Sequence, residues 1–289
     1  MKKVLVTGAA GNVGLSVIRY LLAEGKYDIT AIDLPNKYVY NRLKKYRKRI
    51  NVVYGDILDG NTVYELIKNQ DYIIHLASCL PPLANIKEKL SELIEVNGTE
   101  SIVRAINFYN KKCMLIYASS TSIYNTNNPV SISNKPTLEG YYNIAKIKSE
   151  ELITKHIKNY AILRLSLVVG DLTNNKMIYS VTKKDSVNKK ILNIGGGDTC
   201  TVLFKDLKKM ICLNHGIDSN IIGQSFYLSN KYYSPVLLDS NESNKLLDYQ
   251  RDSFESVSMR IKRRNKKRVF GKFIGKITHL KKNSGESKW

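Results

Sequence analysis

Val4-Leu5-Val6-Thr7-Gly8-Ala9-Ala10-Gly11-Asn12-Val13-Gly14 is the stretch on which the fold turns. An apolar run ends in three glycines spaced GxxGxxG and leads straight into a helix-compatible pattern. Glycine permits a tight turn and lets a backbone approach a pyrophosphate, which can then rest on a helix N-terminus. Taken alone, this reads equally well as an ordinary turn after a strand. Asp33 tips the balance: it ends the next apolar run, 19 residues after Gly14. A carboxylate there can accept from the 2′- and 3′-hydroxyls of a ribose. It also repels a 2′-phosphate, so NAD is expected, with Lys37 and Arg42 keeping NADP as the minority reading.

Outward from that turn, apolar runs alternate with helical patterns, the signature of βαβ units around a parallel sheet. Strands are expected at residues 3–6, 28–32, 51–54, 71–76, 114–118 and 161–165, and helices at 12–23, 62–68, 87–109 and 141–155. The strand runs are nearly continuous in apolar residues, as when both faces of a sheet are covered. The predicted class is an α/β, Rossmann-type doubly wound sheet over residues 1–170. A small irregular C-terminal lobe for substrate follows over 171–259, then a basic tail over 260–289.

Composition narrows the field. The chain has 289 residues, 43% of them hydrophobic, with 46 Lys and Arg against 25 Asp and Glu. That hydrophobic share excludes a wholly disordered chain. The formal charge of +21 is uneven, since 260–289 holds twelve Lys and Arg against the single acid Glu286. Cys79, Cys113, Cys200 and Cys212 show no CxxC spacing and read as reduced thiols of a cytoplasmic protein. The scattered His75, His156, His215 and His279 give no support to a metal site. The N-terminus does not read as a signal peptide, and no apolar run approaches the ~20 residues that span a bilayer.

A series of short motifs follows in order: Thr7–Gly14, Asp33, Gly55-Asp56-Ile57, His75-Leu76-Ala77-Ser78, Val96-Asn97-Gly98-Thr99, Ala118 to Tyr124, Tyr142-xxx-Lys146 and Leu163-Arg164. Together they resemble the extended short-chain dehydrogenase/reductases, specifically the NAD-dependent epimerase/dehydratase family acting on nucleotide sugars. Each motif is short, and the ordered series is what is specific. The YxxxK pattern needs a control, because Lys stands four after Tyr at Tyr40, Tyr64, Tyr142, Tyr179 and Tyr227. Only Tyr142 lies 22 residues after Ser120, and its neighbour Tyr141 has Ala145 at the fourth place.

The resemblance implies Tyr142 as acid–base, Lys146 as its tuner and ribose ligand, and Ser120 as the third member. It implies cofactor contacts from Gly8, Ala10, Gly11, Asn12, Val13, Gly14 and Asp33, with Asp56 and Ile57 at the adenine and Leu76 and Ala77 along the phosphates. The chemistry explains the residue types. Tyrosine starts near pKa ~10, and bringing it to about 7 takes roughly 4 kcal/mol of charge stabilisation. An ammonium one helical turn away, together with the positive nicotinamide ring, can supply that in a site shielded from water. His75 reads as a satisfied core histidine, and Asn97 as a polar group inside a helix.

The pattern also departs from the family. Family dehydratases and decarboxylases carry acids where this chain has Thr121 and Ser122, which disfavours elimination. Leu167 stands where many epimerases have an Asn, closer to reductase-like branches. The expected function is therefore an epimerase acting at C4 of a nucleotide sugar through a 4-keto intermediate, in surface-polysaccharide synthesis. A sugar or small-molecule dehydrogenase/reductase using NAD(P), and a nonenzymatic NAD-binding regulator or scaffold, stand as alternatives. The resemblance further implies a homodimer. In the tail, Val269, Phe270, Phe273, Ile274, Ile277 and Leu280 share one helical face among lysines. That face suits an anionic membrane surface, possible also with a lipid-linked sugar as substrate, or docking on its own domain; no nucleic-acid recognition motif accompanies it.

Overall fold

The computed structural model describes residues 1–124, 126, 129–166, 168, 182, 185–200, 206–207, 209–210, 212 and 238–265. In it the Val4–Val6 run is the centre of strand β1 (Lys2–Thr7), and the glycine turn feeds helix α1 (Asn12–Glu24). Strands β2 (Tyr27–Asp33), β3 (Asn51–Tyr54), β4 (Tyr72–His75), β5 (Met114–Ser120), β6 (Tyr160–Leu165) and β7 (Lys190–Ile194) join it in one sheet of order β3-β2-β1-β4-β5-β6-β7. Every pairing is parallel. The order reverses between β1 and β4, where such sheets open a crevice at the carboxyl ends of their strands.

Period-two alternation sorts the strand residues onto two cores. Val4, Val6, Ile74, Ile116 and Leu163 face α1 and pack with Val17, Ile18 and Leu21. Leu5, Ile73, Leu115 and Ile162 face the other way, onto α3 (Gly60–Ile67), α6 (Gly98–Tyr109) and α7 (Tyr141–His156). The six expected strands are present, and β7 is a seventh beyond residue 170, paired with β6 from Ala161 to Leu165.

Two expectations change in detail. Residues 37–43 form a helix, α2 (Lys37–Leu43), capped by the Asn36 side chain on the Val39 amide. The helix expected over 87–109 is broken into α4 (Leu83–Ile86), α5 (Glu88–Glu92), a π turn (Leu93–Asn97) and α6. A π turn widens the helix by one residue and rotates the side chains on it.

The chain divides into two units. The first comprises 1–195 with 231–250, including α8 (Asn241–Leu247); the second comprises 196–230 with 251–289, including α9 (Phe254–Asn265). In the second, Arg260 pairs with Asp252 at 2.7 Å. Leu167 and the apolar face over 269–280 lie outside the described residues. No described helix is long and apolar enough to cross a membrane.

Candidate active site

The phosphate-binding half is made of backbone. Gly8 has φ of +62°, and a Cβ there would stand 2.7 Å from the Ala77 amide. A Cβ on Gly14 would meet the Gly8 carbonyl at 2.5 Å. The turn is thus wedged between α1 and the segment after β4, and only glycine fits these places. Thr7 fastens the two segments: its Oγ1 accepts from the Leu76 and Ala77 amides, both at 3.1 Å. Gly11 is the N-cap of α1 with no side chain over the first turn, and Asn12 is exposed beside it. Val13 is half-buried on the core.

Asp33 sits at the carboxyl end of β2. One of its oxygens accepts from the Ala10 amide at 2.8 Å and the other from Leu34 at 2.8 Å, leaving further lone pairs for hydroxyl donors. Arg42 reaches the Asn12 side chain at 2.8 Å and stacks over Tyr38. Asp56 is exposed and closes its own turn onto Leu58, while Ile57 is buried against Gly98 at the start of α6. Small-residue clearance, bare helix amides and an available carboxylate fit a dinucleotide, with Gly8 to Gly14 and Leu76-Ala77 around the pyrophosphate and Asp33 at a ribose.

The second half is made of side chains. Strand β5 ends on Ser120, and α7 starts after Gly140, whose φ of +79° turns the chain into the helix. The structure brings Ser120, Tyr142 and Lys146 to one place: Lys146 Nζ lies 5.7 Å from the Tyr142 ring centroid, and the Ser120 and Ser78 hydroxyls favour the phenolate. Tyr141 points away and is 42% exposed, whereas Tyr142 is 7% exposed. Ser122 donates to Asn143 Oδ1 at 2.8 Å, so its contact with Ser120 at 2.8 Å has Ser120 as donor. Thr121 is buried. The two places where family members carry acids are thus neutral and internally bonded.

Sequence reasoning missed Glu95. The π turn aims it inward, where its side chain is fully buried and lies 2.8 Å from the Lys146 ammonium. It also takes the Ser78 hydroxyl and, at 3.0 Å, the Cys79 amide. Lys146 places a second N–H on the Ala118 carbonyl at 2.9 Å. The only advance signal was an acid two residues ahead of Asn97, inside a stretch read as plain helix. Asn97 itself is exposed.

Electrostatics follow from this pairing. Burial alone would lower the Lys146 pKa, but Glu95, then Tyr117 and Tyr142, outweigh it and hold the ammonium firmly charged. Tyr142 lies above the ordinary tyrosine value: burial raises it, Lys146 lowers it, Glu95 raises it again, and the two serines lower it. Beside Lys146 the phenol is still raised, because burial outweighs the ammonium and Glu95 opposes it. His75 is pushed down to about 3 by burial and then by Lys146. Thr7 already accepts two amides, so its own proton goes to His75 Nδ1 at 2.8 Å, and Nε2–H donates to Thr99 at 3.2 Å. It is a neutral, satisfied core histidine.

Comparison with known proteins gives the family and the fold. The model of the NAD dependent epimerase/dehydratase family matches residues 4–200. A UDP-N-acetyl-alpha-D-glucosaminuronate decarboxylase of Bacillus cytotoxicus is 30% identical over 195 residues, 64% of this chain and 57% of that protein. UDP-glucuronate 4-epimerase 4 of Arabidopsis thaliana is 28% identical over 208 residues, 66% of this chain and 47% of that protein. The chain thus spans about half the length of these relatives. The crystal structure of UDP-glucuronic acid 4-epimerase from Bacillus cereus in complex with NAD superposes with a TM-score of 0.70 at 20% identity, covering 93% of this chain and 99% of that one.

Proposed function

The chain belongs to the NAD dependent epimerase/dehydratase family, and from that premise we propose that it epimerises a nucleotide sugar at C4 through a 4-keto intermediate, in surface-polysaccharide synthesis. The observation that carries this reading is the meeting of Ser120, Tyr142 and Lys146 at the carboxyl edge of the sheet, beside a turn that fits a dinucleotide.

NAD, when bound, supplies the acceptor and donor of hydride. Everything else is work for the chain's own residues. Tyr142 takes the proton of the sugar hydroxyl as the carbon is oxidised, and Ser120, turning its proton away from Ser122, donates to the same oxygen. Lys146, held by Glu95 and Ala118, has one N–H left for a ribose hydroxyl or the phenol. Burial of Tyr142 and Lys146 keeps water from the proton between the two half-reactions, so Tyr142 can return it to the oxygen on the other face. Elimination or decarboxylation at this site would have to proceed without an acid at Thr121 or Ser122, which is why epimerisation is favoured.

The test is to incubate the protein with substoichiometric NAD and a panel of nucleotide sugars, resolving products by chromatography with Tyr142→Phe as control. An isomer made by wild type and lost in the variant is the expected outcome. Stoichiometric reduction of NAD would instead establish a net dehydrogenase, and NAD binding without turnover on any sugar a regulator. Two parts of the proposal concern partners: a homodimer through the bundle containing α7, and contact of 260–282 with an anionic membrane face. Sedimentation velocity and co-sedimentation with anionic vesicles check them.

A further inference from the structure

A buried carboxylate beside a catalytic ammonium changes what that ammonium can do. Glu95 is reached from four directions: by Lys146 Nζ from α7, by the Tyr117 hydroxyl from β5 at 3.4 Å, and by the Ser78 hydroxyl and Cys79 amide from the segment after β4. Its backbone carbonyl takes the Ser149 hydroxyl at 2.9 Å and the Thr99 hydroxyl at 2.5 Å, which fixes the π turn against α7 and α6. The side chains of Lys146 and Glu95 are 3% and 0% exposed. The Lys146 ammonium lies 5.7 Å from the Tyr142 ring centroid, so the carboxylate is linked to the acid–base through it.

We propose that Glu95 is a positioning residue for the reaction: its carboxylate fixes the Lys146 ammonium beside the Tyr142 phenol, so that the buried centre is a Tyr142–Lys146–Glu95 unit built on a neutral ion pair. The proposal deepens the reading of Tyr142 as acid–base and rests on it. Two consequences follow from charge alone. The ammonium cannot swing toward solvent, since two of its three N–H groups are held. Its field at the phenol is opposed by the carboxylate, so Tyr142 keeps its proton in the unliganded protein. The other titratable groups facing this centre do not alter that balance: His75 is neutral, and burial followed by Glu95 raises the Cys79 thiol. Tyr117 is raised by burial and stays protonated.

The experiment is a ¹³C NMR titration of the full chain labelled at tyrosine Cζ, without NAD or sugar, with the Tyr142 resonance assigned by its loss in Y142F. Wild type should show no Tyr142 titration below about pH 10, the ordinary tyrosine value. E95Q keeps the shape and removes the charge, and should move the midpoint down by about one pH unit or more, the size expected for a facing charge. E95D, which restores the charge, should bring it back toward wild type, an effect that a merely structural role would not produce. An E95Q midpoint equal to wild type overturns the proposal. Should E95Q not fold, wild type decides: a midpoint below about 9 means that Lys146 acts unopposed, and the proposal fails. Because no substrate enters the titration, a failed sugar panel beside a displaced E95Q midpoint sinks the proposed reaction and leaves the linkage standing, and the converse result separates them the other way.

Discussion

Helix α7 carries two buried ion pairs one turn apart, and they are built differently. Glu150 holds Arg164 of β6 through two contacts, Nε at 3.0 Å and Nη2 at 2.7 Å, and Arg164 continues to the Tyr124 hydroxyl at 2.9 Å. Tyr124 in turn donates to Asn193 of β7 at 2.7 Å. That pair is a closed bidentate clamp tying the helix to two strands. Lys146 and Glu95, one turn earlier, meet through a single contact and leave the ammonium one N–H unused. The lesson is that burial of charge does not define a functional site by itself. What distinguishes the second pair is an unsaturated donor next to an ionisable phenol.

Breaking the comparison at its reactive end has the largest effect. Tyr142→Phe should lower turnover by about 10²–10⁴-fold, the usual contribution of a positioned acid–base. NAD affinity and the denaturation midpoint should stay close to wild type, which calorimetry and a melting curve would check. Glu150→Gln strikes the closed clamp, and should instead cost about 3–5 kcal/mol of stability in a urea titration, because it strands the buried Arg164 guanidinium. Activity per folded molecule should survive. If Glu150→Gln removed activity without destabilising the chain, the division between clamp and centre would be wrong.

A control off α7 is Asp33→Asn, which leaves both pairs intact. It weakens a charge-assisted contact to the Ala10 amide and replaces one of the two carboxylate oxygens proposed to face a ribose with an NH2 donor. NAD affinity should fall by about tenfold or more, the loss of one such hydrogen bond. A last effect is one of pH. His75 has its pKa lowered from 6.5 to about 3, so between those values the unfolded chain binds a proton that the folded chain does not. Its contribution is complete above pH 6.5 and is lost as pH falls toward 3, with a slope approaching about 1.4 kcal/mol per unit. Denaturation at pH 7 and 4.5 should show a smaller difference in His75→Gln than in wild type.

The strands and the glycine turn were legible because their signals are local. Val4 to Gly14 states strand, turn and helix within eleven consecutive residues. The family resemblance singled out Tyr142 among five Tyr-xxx-Lys pairs, on a predicted helix 22 residues after Ser120. The break at Leu93–Asn97 was not legible, since an apolar periodicity runs through it and one inserted residue leaves no compositional mark. Helix α2 was missed for a similar reason, as a basic stretch with only Val39 and Leu43 buried has little apolar face to read. The link between Ser122 and Asn143 was not legible in residue order. Their pairing at 2.8 Å exists only because the β5 end and the first turn of α7 converge.

By itself, then, the sequence determined a parallel α/β sheet and its glycine turn from short-range pattern, while Asp33 and the Ser120, Tyr142 and Lys146 set came from ordered motifs that resemble the family, and their roles are proposals. Tertiary structure alone decided where the charges balance. Glu95 and Lys146 are far apart in the chain and meet because the π turn rotates one inward while α7 lays the other beneath β5. A carboxylate's effect depends on its distance and its solvation. Neither quantity is written in residue order.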